Sequence, residues 1–374
     1  MSTIIAVPAE SREGERRVAM VPSLVPKLSK AGVTIRIQSG AGSPAGFDDA
    51  QFADLEGVEI ESDASRLWQE ADLVFCVRRP TIDCVRKMKA GAALLGFLAP
   101  WERDDFIQAM AEQKVSGFAV ERIPRISRAQ SMDALSSQAA VAGYKSVLIA
   151  AEHLPRFFPM LTTAAGTIRP AKALVVGAGV AGLQAIATAK RLGARVEAFD
   201  VRSAVAEQVE SLGAKFVDTG VKAEAEGGYA RPLTEEEKAQ QAKVLARHVA
   251  QADIIITTAA IPGRPAPRII TREMVQGMKP GAVLVDLAAE TGGNCELTQA
   301  GQVHREGASI IVGPQDVPSM LAEHASEMYA RNLWNFTAPS IDEGKLHWDM
   351  EDEVYAQSVT SHDGDIRFPA EDKA

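Results

Sequence analysis

The sequence predicts an α/β protein built from two doubly wound parallel-sheet domains joined by long crossover helices. Three observations predict it. Short apolar runs alternate with amphipathic stretches, and the alternation occurs in two separate series. The chain has 374 residues, enough for two domains. Apolar residues make up 46% and charged residues 24%, an ordinary globular balance, while 29 glycines and only 5% aromatics suit helices packed closely on a sheet.

In the first series the strand candidates are residues 3–7, 33–37, 73–77, 92–98 and 117–120, with helix candidates at 22–31, 48–55 and 102–113. The second series places strands at 173–176, 195–199, 215–217, 253–257, 282–287 and 309–312. Residues 133–154 carry Leu135, Val141, Tyr144 and Leu148 at helical spacing and are closed by Pro155. Leu321, Ala325, Met328, Leu333 and Phe336 recur in the same rhythm before Pro339. Two long helices that bracket the second series imply a chain that crosses over and returns. The expected domains are therefore 1–135 plus 322–374, discontinuous, and 136–321, with the tail 341–374 packed back on the first.

Composition excludes several classes. Forty Lys and Arg against 49 Asp and Glu give a net charge of −9, which argues against a nucleic-acid binder or a basic membrane-surface protein. The cysteines, Cys76, Cys84 and Cys295, are odd in number and lack C-x-x-C spacing, pointing to a reducing compartment. The six histidines are scattered singly, so no metal site is expected. The amino terminus does not read as a signal peptide. The longest apolar run, 92–101, falls well short of the roughly 20 residues that span a bilayer, so no direct membrane insertion is expected.

The strongest local signal is LVVGAGVAG, residues 174–182, in which Gly177, Gly179 and Gly182 form G-x-G-x-x-G between a strand and a helix. The first glycine permits a tight turn, the second admits a pyrophosphate to the backbone, and the third lets helix and strand pack closely. The following strand ends in Asp200, whose carboxylate suits adenosine-ribose hydroxyls and repels a 2′-phosphate. That favours NAD(H) over NADP(H), with Arg202 close enough to temper the preference. The second domain is thus expected to be a Rossmann-like dinucleotide-binding domain.

Three other stretches bear on chemistry. PRISRAQSMD, residues 124–133, gathers Arg125, Arg128, Gln130 and Asp133 just before the first long helix, where a ligand cleft is expected; the bland alternative is a helix cap with solvated arginines. Residues 219–236 lack periodicity, and Tyr229 follows Gly227 and Gly228, which reads equally as a lid that closes over a nucleotide or as disorder. AAIPGRPAP (259–267) and DLAAETGGNCE (286–296) follow the fourth and fifth strands of the second domain, on the nicotinamide side of a doubly wound sheet, though some of their residues only shape turns.

Taken together, the E-x-E-R-R-V-A start at residues 13–19, PRISRAQSMDALSSQ, AAGTIRPAKALVVGAGVAGLQAIATAKRLGA, GGYA, TTAAIPGRPAP and VDLAAETGGNCE resemble the NAD(H)-binding domain I of proton-translocating nicotinamide nucleotide transhydrogenases, over nearly the whole chain. The resemblance implies a homodimer whose NADH gives a hydride directly to NADP+ on the NADP(H)-binding domain of a β subunit. Membrane-spanning partner subunits would couple that transfer to proton translocation, and the chain itself would be cytoplasmic and peripheral on the inner membrane. Many α subunits continue into transmembrane helices after this domain, so the resemblance implies either a naturally split subunit or an expressed fragment. Residue by residue, Arg125, Gln130 and Asp133 match the loop around the nicotinamide and its ribose, with Ser136 beside them, and Gln130 is the candidate for reaching the partner's nucleotide. Tyr229 matches the tyrosine of a mobile loop, and these four (Arg125, Gln130, Asp133, Tyr229) are the catalytic candidates. Val180, Asp200, Val201, Arg202, Gly228, Gln241 and Ala260 align with further NAD contacts.

The chain also resembles alanine dehydrogenase, the alternative activity. That relative's substrate arginine has a counterpart in Arg17, and its aspartate near the nicotinamide aligns with Glu290. Its catalytic lysine and histidine do not persist: Cys76 and Phe97 stand there. Oxidising an amino acid requires a base, whereas hydride transfer between two nicotinamides requires only positioning, with the reacting carbons about 3–3.5 Å apart. A third possibility is a non-catalytic NAD(H) sensor whose Tyr229 loop signals to a partner.

Overall fold

Apolar β-branched runs such as Ile-Ile-Ala-Val and Ile-Ile-Ile-Thr bury both faces of a strand, the pattern that parallel sheets covered by helices demand. The computed structural model describes residues 2–102, 105–221 and 234–368. The chain divides into two units, Met1–Gln138 with Pro318–Ala374, and Ala139–Val317.

The first unit is an eight-stranded sheet. From one edge the order is Val58–Glu61, Thr34–Gln38, Ile4–Val7, Leu73–Arg78, Ala93–Phe97, Ser116–Ala119, Val359–His362 and Asp365–Ile366. The first six run parallel in the order 3-2-1-4-5-6, and the last two are antiparallel. The chain's far end thus supplies two strands to the sheet that its beginning started. Tyr329, Phe336, Trp348 and Tyr355 from the returning segment pack in the core with Phe118, the last four as an aromatic cluster with ring centroids 4.3–6.2 Å apart.

The second unit is a seven-stranded sheet in the order Lys215–Phe216, Arg195–Phe199, Lys172–Val176, Ile254–Thr257, Val283–Asp286, Ser309–Val312 and Val303–Glu306, antiparallel only at the last pairing. Its parallel strands repeat the order 3-2-1-4-5-6. In each unit the order reverses beside the first strand, and such reversals open a crevice at the carboxyl ends of the strands.

The long helices are Ala134–His153 and Ala322–Thr337. Within the second unit, Gly143 lets the first of them lie against the helix Val180–Arg191, because a Cβ there would come 2.1 Å from the Ala181 carbonyl oxygen. Strands Val58–Glu61 and Val303–Glu306 escaped the apolar-run reading, since both are charged edge strands with exposed positions. The helix expected at 22–31 begins as a 3-10 turn, Pro22–Leu24, before Val25–Lys30, each with a proline at its first turn. Among the described residues no helix is long and apolar enough to cross a membrane.

Candidate functional site

In the second unit the chain leaves Lys172–Val176 and enters the helix Val180–Arg191 through the glycine turn. Gly177 has φ +98°, and a Cβ there would also lie 2.6 Å from Thr258 Oγ1. A Cβ on Gly182 would fall 1.9 Å from the Gly177 carbonyl oxygen, so no larger residue lets the helix sit against the turn. Gly179 is different in kind. It has φ −78°, which any residue adopts, and a Cβ there would meet nothing within 4 Å. Packing among the described residues therefore does not require a glycine at 179. The space is at the amino end of a helix that no side chain caps, where backbone N–H groups and the helix dipole favour an anion.

Asp200 ends the next strand. Its Oδ2 accepts the Ala178 N–H at 2.7 Å, and its two oxygens take the Arg202 guanidinium at 3.0 Å each, with the Arg202 N–H at 2.9 Å. Burial alone would raise its pKa, but Arg202 and the two backbone donors outweigh burial and hold it below the ordinary carboxylate range. The carboxylate is ionised and its lone pairs are taken, so two ribose hydroxyls can bind it only if Arg202 turns away. Val180 and Val201 stand exposed on either side of this edge at 43% and 37%. Ala260 is exposed on the loop after Ile254–Thr257, and Gln241 is half-buried on the helix Glu235–Gln251. Gly228 and Tyr229 lie outside the described residues.

In the first unit, residues 124–133 run into the 3-10 helix Ser127–Met132, which Asp133 follows. The Asp133 carboxylate accepts the Ser136 N–H at 2.8 Å and the Ser136 hydroxyl at 2.6 Å, so it caps the long helix. Arg128 makes a two-pronged ion pair with Asp352 at 2.6 and 2.8 Å. Arg125 and Gln130 are exposed, and their side chains make no hydrogen bond among the described residues. Asp133 and Arg128 therefore serve the fold, while Arg125 and Gln130 do no work in it among the described residues.

The crevice beside Ile4–Val7 is occupied by side chains, and sequence reasoning missed Glu10, Glu121 and Tyr329 among them. Glu10 accepts the N–H groups of Val77 and Arg78 at 2.6 and 3.0 Å. Arg17, buried, donates to both Glu15 oxygens at 2.8 and 2.6 Å and to Gln138 Oε1 at 2.8 Å. Cys76 is fully buried, and its backbone carbonyl accepts the Tyr329 hydroxyl at 2.8 Å. Phe97 stacks on Tyr329 with centroids 5.5 Å apart. Burial pushes Glu10 and Glu121 up to about 7 against the backbone donors that lower them. In Glu15, Arg17 overcomes burial and brings the carboxyl down to about 2. The only sequence signal for the two raised carboxyls is an acidic residue just past a strand, which is too common to single them out.

A cavity of about 760 Å³ opens at the opposite, amino-terminal end of the second unit's strands, lined by Arg156, Arg169, Lys172, Arg195, Asp253 and Lys279 among others. Asp253 there pairs with Arg156 and Lys279 at 3.0 Å each. It is remote from the carboxyl edge, where doubly wound sheets take their ligands.

Residues 6–142 match the alanine dehydrogenase/PNT N-terminal domain and residues 146–369 the alanine dehydrogenase/PNT C-terminal domain. The chain belongs to the alanine dehydrogenase/PNT family. Within that family it is 47% identical over 378 residues to the first segment of the NAD(P) transhydrogenase alpha subunit of Rhodospirillum rubrum, covering 98% of each chain. The crystal structure of a transhydrogenase from Sinorhizobium meliloti superposes with a TM-score of 0.89 at 44% identity, covering 97% of this chain and 99% of that one. The alanine dehydrogenase of Halomonas elongata is 28% identical over 98% of this chain and 95% of its own.

Cys76 and Phe97, which the resemblance to alanine dehydrogenase sets against a catalytic lysine and histidine, are a thiol pushed up by burial and a phenyl ring stacked on Tyr329. Arg17, aligned with a substrate arginine, already has its guanidinium fork filled by Glu15. Glu290 accepts the Asp316 N–H at 2.9 Å within its own unit. Glu10 and Glu121 titrate near neutrality but are buried and tied to backbone N–H groups at strand ends, where they support the fold.

Proposed function

We propose that this chain is the NAD(H)-binding component of a proton-translocating nicotinamide nucleotide transhydrogenase. It would work as a homodimer, peripheral on the cytoplasmic face of the inner membrane, with the acceptor NADP+ held by the NADP(H)-binding domain of a β subunit and proton movement handled by membrane-spanning partners. The observation that carries the nucleotide reading is Gly179: it fronts an uncapped helix end with room that packing does not require, so a ligand backbone accounts for it. The full-length likeness to transhydrogenase α chains supports the rest.

NADH bound at the carboxyl edge of the second unit would supply the hydride. The chain's own residues do the holding. The N–H groups at the start of Val180–Arg191 receive the pyrophosphate. Asp200 accepts the adenosine-ribose hydroxyls and disfavours a 2′-phosphate, which supports NAD(H) over NADP(H). Val180, Val201, Gln241 and Ala260 line the same edge as candidate contacts. Arg125 and Gln130, with Asp133 and Ser136, are candidates for the nicotinamide and its ribose, and Gly228 and Tyr229 for covering it. No general base is needed, in keeping with Cys76 and Phe97.

The test is reconstitution. Membranes that carry the partner subunits are stripped of peripheral proteins, the purified chain is returned, and reduction of a spectrally distinct NAD analogue by NADPH is followed. Activity that needs both chain and membranes, and is lost in Gln130→Ala, is the expected result. Oxidation of an amino acid with NAD by the isolated chain at an enzyme-like rate would overturn the proposal.

A further inference from the structure

In the second unit, the loops after Ile254–Thr257 and Val283–Asp286 are locked together by one buried side chain. Asn294 is wholly buried. Its Oδ1 accepts the Ala259 N–H at 3.0 Å, and its Nδ2 donates to the carbonyls of Ala259 and Pro267 at 2.7 and 2.9 Å. Its own carbonyl accepts the N–H groups of Ile269 and Ile270 at 2.7 and 2.9 Å. Gly292 and Gly293, at φ +102° and +83°, reverse the chain just before it.

Asp286 anchors the same assembly from below. One of its oxygens accepts the Thr257 hydroxyl and the Ala288 N–H at 2.8 and 3.1 Å. The other accepts the Cys295 N–H and the Thr298 hydroxyl at 3.0 and 2.6 Å. On the far side, the Thr258 hydroxyl donates to the Gly177 carbonyl at 3.1 Å. A continuous run of bonds therefore leads from the glycine turn through residues 258 and 259 to Asn294. Both backbone groups of Ala259 are spent on Asn294, and Ala260 and Ile261 beyond it stand exposed, Ile261 at 49%. A solvent-facing apolar pair that directly follows this anchored residue does nothing for packing, and it lies at the strand reversal where ligands bind.

We infer that Asn294 is a positioning residue that fixes the Ala260–Ile261 wall, and that this wall sets where the nicotinamide half of the dinucleotide is held. The inference rests on the NAD(H) reading above. It follows from the division of labour in a doubly wound sheet. The half with the glycine turn and Asp200 takes one nucleotide, and the half built on the fourth and fifth strands takes the other. Asn294 touches no ligand atom itself and acts through Ala259.

Asn294→Asp tests this sharply, because it sets a carboxylate against two carbonyls that now receive N–H donors. The reconstituted membrane assay gives kcat and KM for the NAD analogue, and binding of ADP-ribose, the dinucleotide without its nicotinamide, reads the adenosine half. The expected result is a kcat lower by roughly ten- to a hundred-fold, the scale set by small misplacements of reacting groups. KM for the NAD analogue and ADP-ribose affinity should stay within about three-fold. If Asn294→Asp fails to bind ADP-ribose, it has not folded at this edge, and Asn294→Ala decides, with the same split expected on a smaller scale. Wild-type kcat in a variant that binds ADP-ribose normally overturns the inference. So does a loss of kcat and ADP-ribose affinity together in Asn294→Ala. A wild-type chain that binds neither NADH nor ADP-ribose would overturn the NAD(H) reading instead.

Discussion

The two units offer the same crevice and treat it in opposite ways. In the first, the backbone donors at the end of Leu73–Arg78 are taken by Glu10, and Glu15, Arg17 and Gln138 complete an internal polar cluster. In the second, the turn after the first strand is glycine, the helix beyond it is uncapped, and Gly179 leaves open space. The strand order is identical, 3-2-1-4-5-6, so topology does not decide which crevice takes a ligand. The two differ in whether the chain satisfies its own donors there. An acidic side chain takes them in the first, and in the second no side chain caps the helix after the glycine turn.

Breaking the first crevice should give the largest effect. Glu15→Ala strands a buried Arg17, which costs about 3–5 kcal/mol. All four tryptophans, Trp68, Trp101, Trp334 and Trp348, lie in the first unit, so urea unfolding followed by their fluorescence reads that loss directly. If the crevices are functionally separate, NADH affinity of the folded fraction stays within about two-fold of wild type.

The glycines sharpen the comparison from the other side. Gly182→Ala forces backbone against backbone and should destabilise the second unit by about 2–3 kcal/mol. Gly179→Ala should leave the melting temperature unchanged yet weaken NADH binding by roughly ten- to a hundred-fold, since among the described residues nothing would meet its methyl group and a bound ligand would. A melting temperature that falls in Gly179→Ala would contradict the assignment of that space to a guest.

The first crevice also predicts a pH dependence. Glu10 and Glu121 sit at about 7 in the folded chain against an ordinary 4.5, so their contribution is fully present below pH 4.5 and is lost as pH rises through 7. Glu15 works the other way, contributing above 4.5 and failing only as pH falls through about 2. Between pH 5 and 8 the raised pair therefore governs this cluster. Glu121→Gln keeps the acceptor for the Ala99 N–H and places its amide where Oε2 has no hydrogen-bond partner. It should flatten the decline in stability over that window by on the order of 1–2 kcal/mol, measured as urea midpoints at pH 5 and pH 8. A parallel shift at both pH values would show that Glu121 is not the titrating group.

The smallest effect expected is at Asp200. Asp200→Asn should weaken NADH binding by about ten-fold and narrow the preference over NADPH, because Arg202 is then free to meet a 2′-phosphate. Affinities for the two nucleotides, measured side by side, check it. An unchanged ratio would mean that Asp200 does not set the preference.

Much of the fold is legible in the sequence because it is local. The strands at Ile4–Val7 and Ile254–Thr257 are apolar over consecutive residues, and the turn at Gly177 needs no distant partner to be recognised. The edge strand Val303–Glu306 is missed because Val-His-Arg-Glu, polar at three consecutive positions on an exposed edge, looks like a loop. Glu10, Asn294 and Asp286 are missed for a different reason. An acidic or amide residue after a strand is ordinary by composition, and its importance lies in which backbone groups reach it from far along the chain.

The sequence by itself thus determined the two-sheet α/β architecture and the glycine turn. It did so because periodicity and steric permission at a turn are properties of neighbouring residues. Only the tertiary structure decided that Asp133 caps a helix while Arg125 and Gln130 do not serve the fold, and that Arg17 is spent on Glu15 and Gln138. It also decided that Gly179, unlike Gly177 and Gly182, is a glycine that protein packing does not require. Those are questions of which atoms fill the space around a side chain, and that space is bounded by segments that only folding brings together.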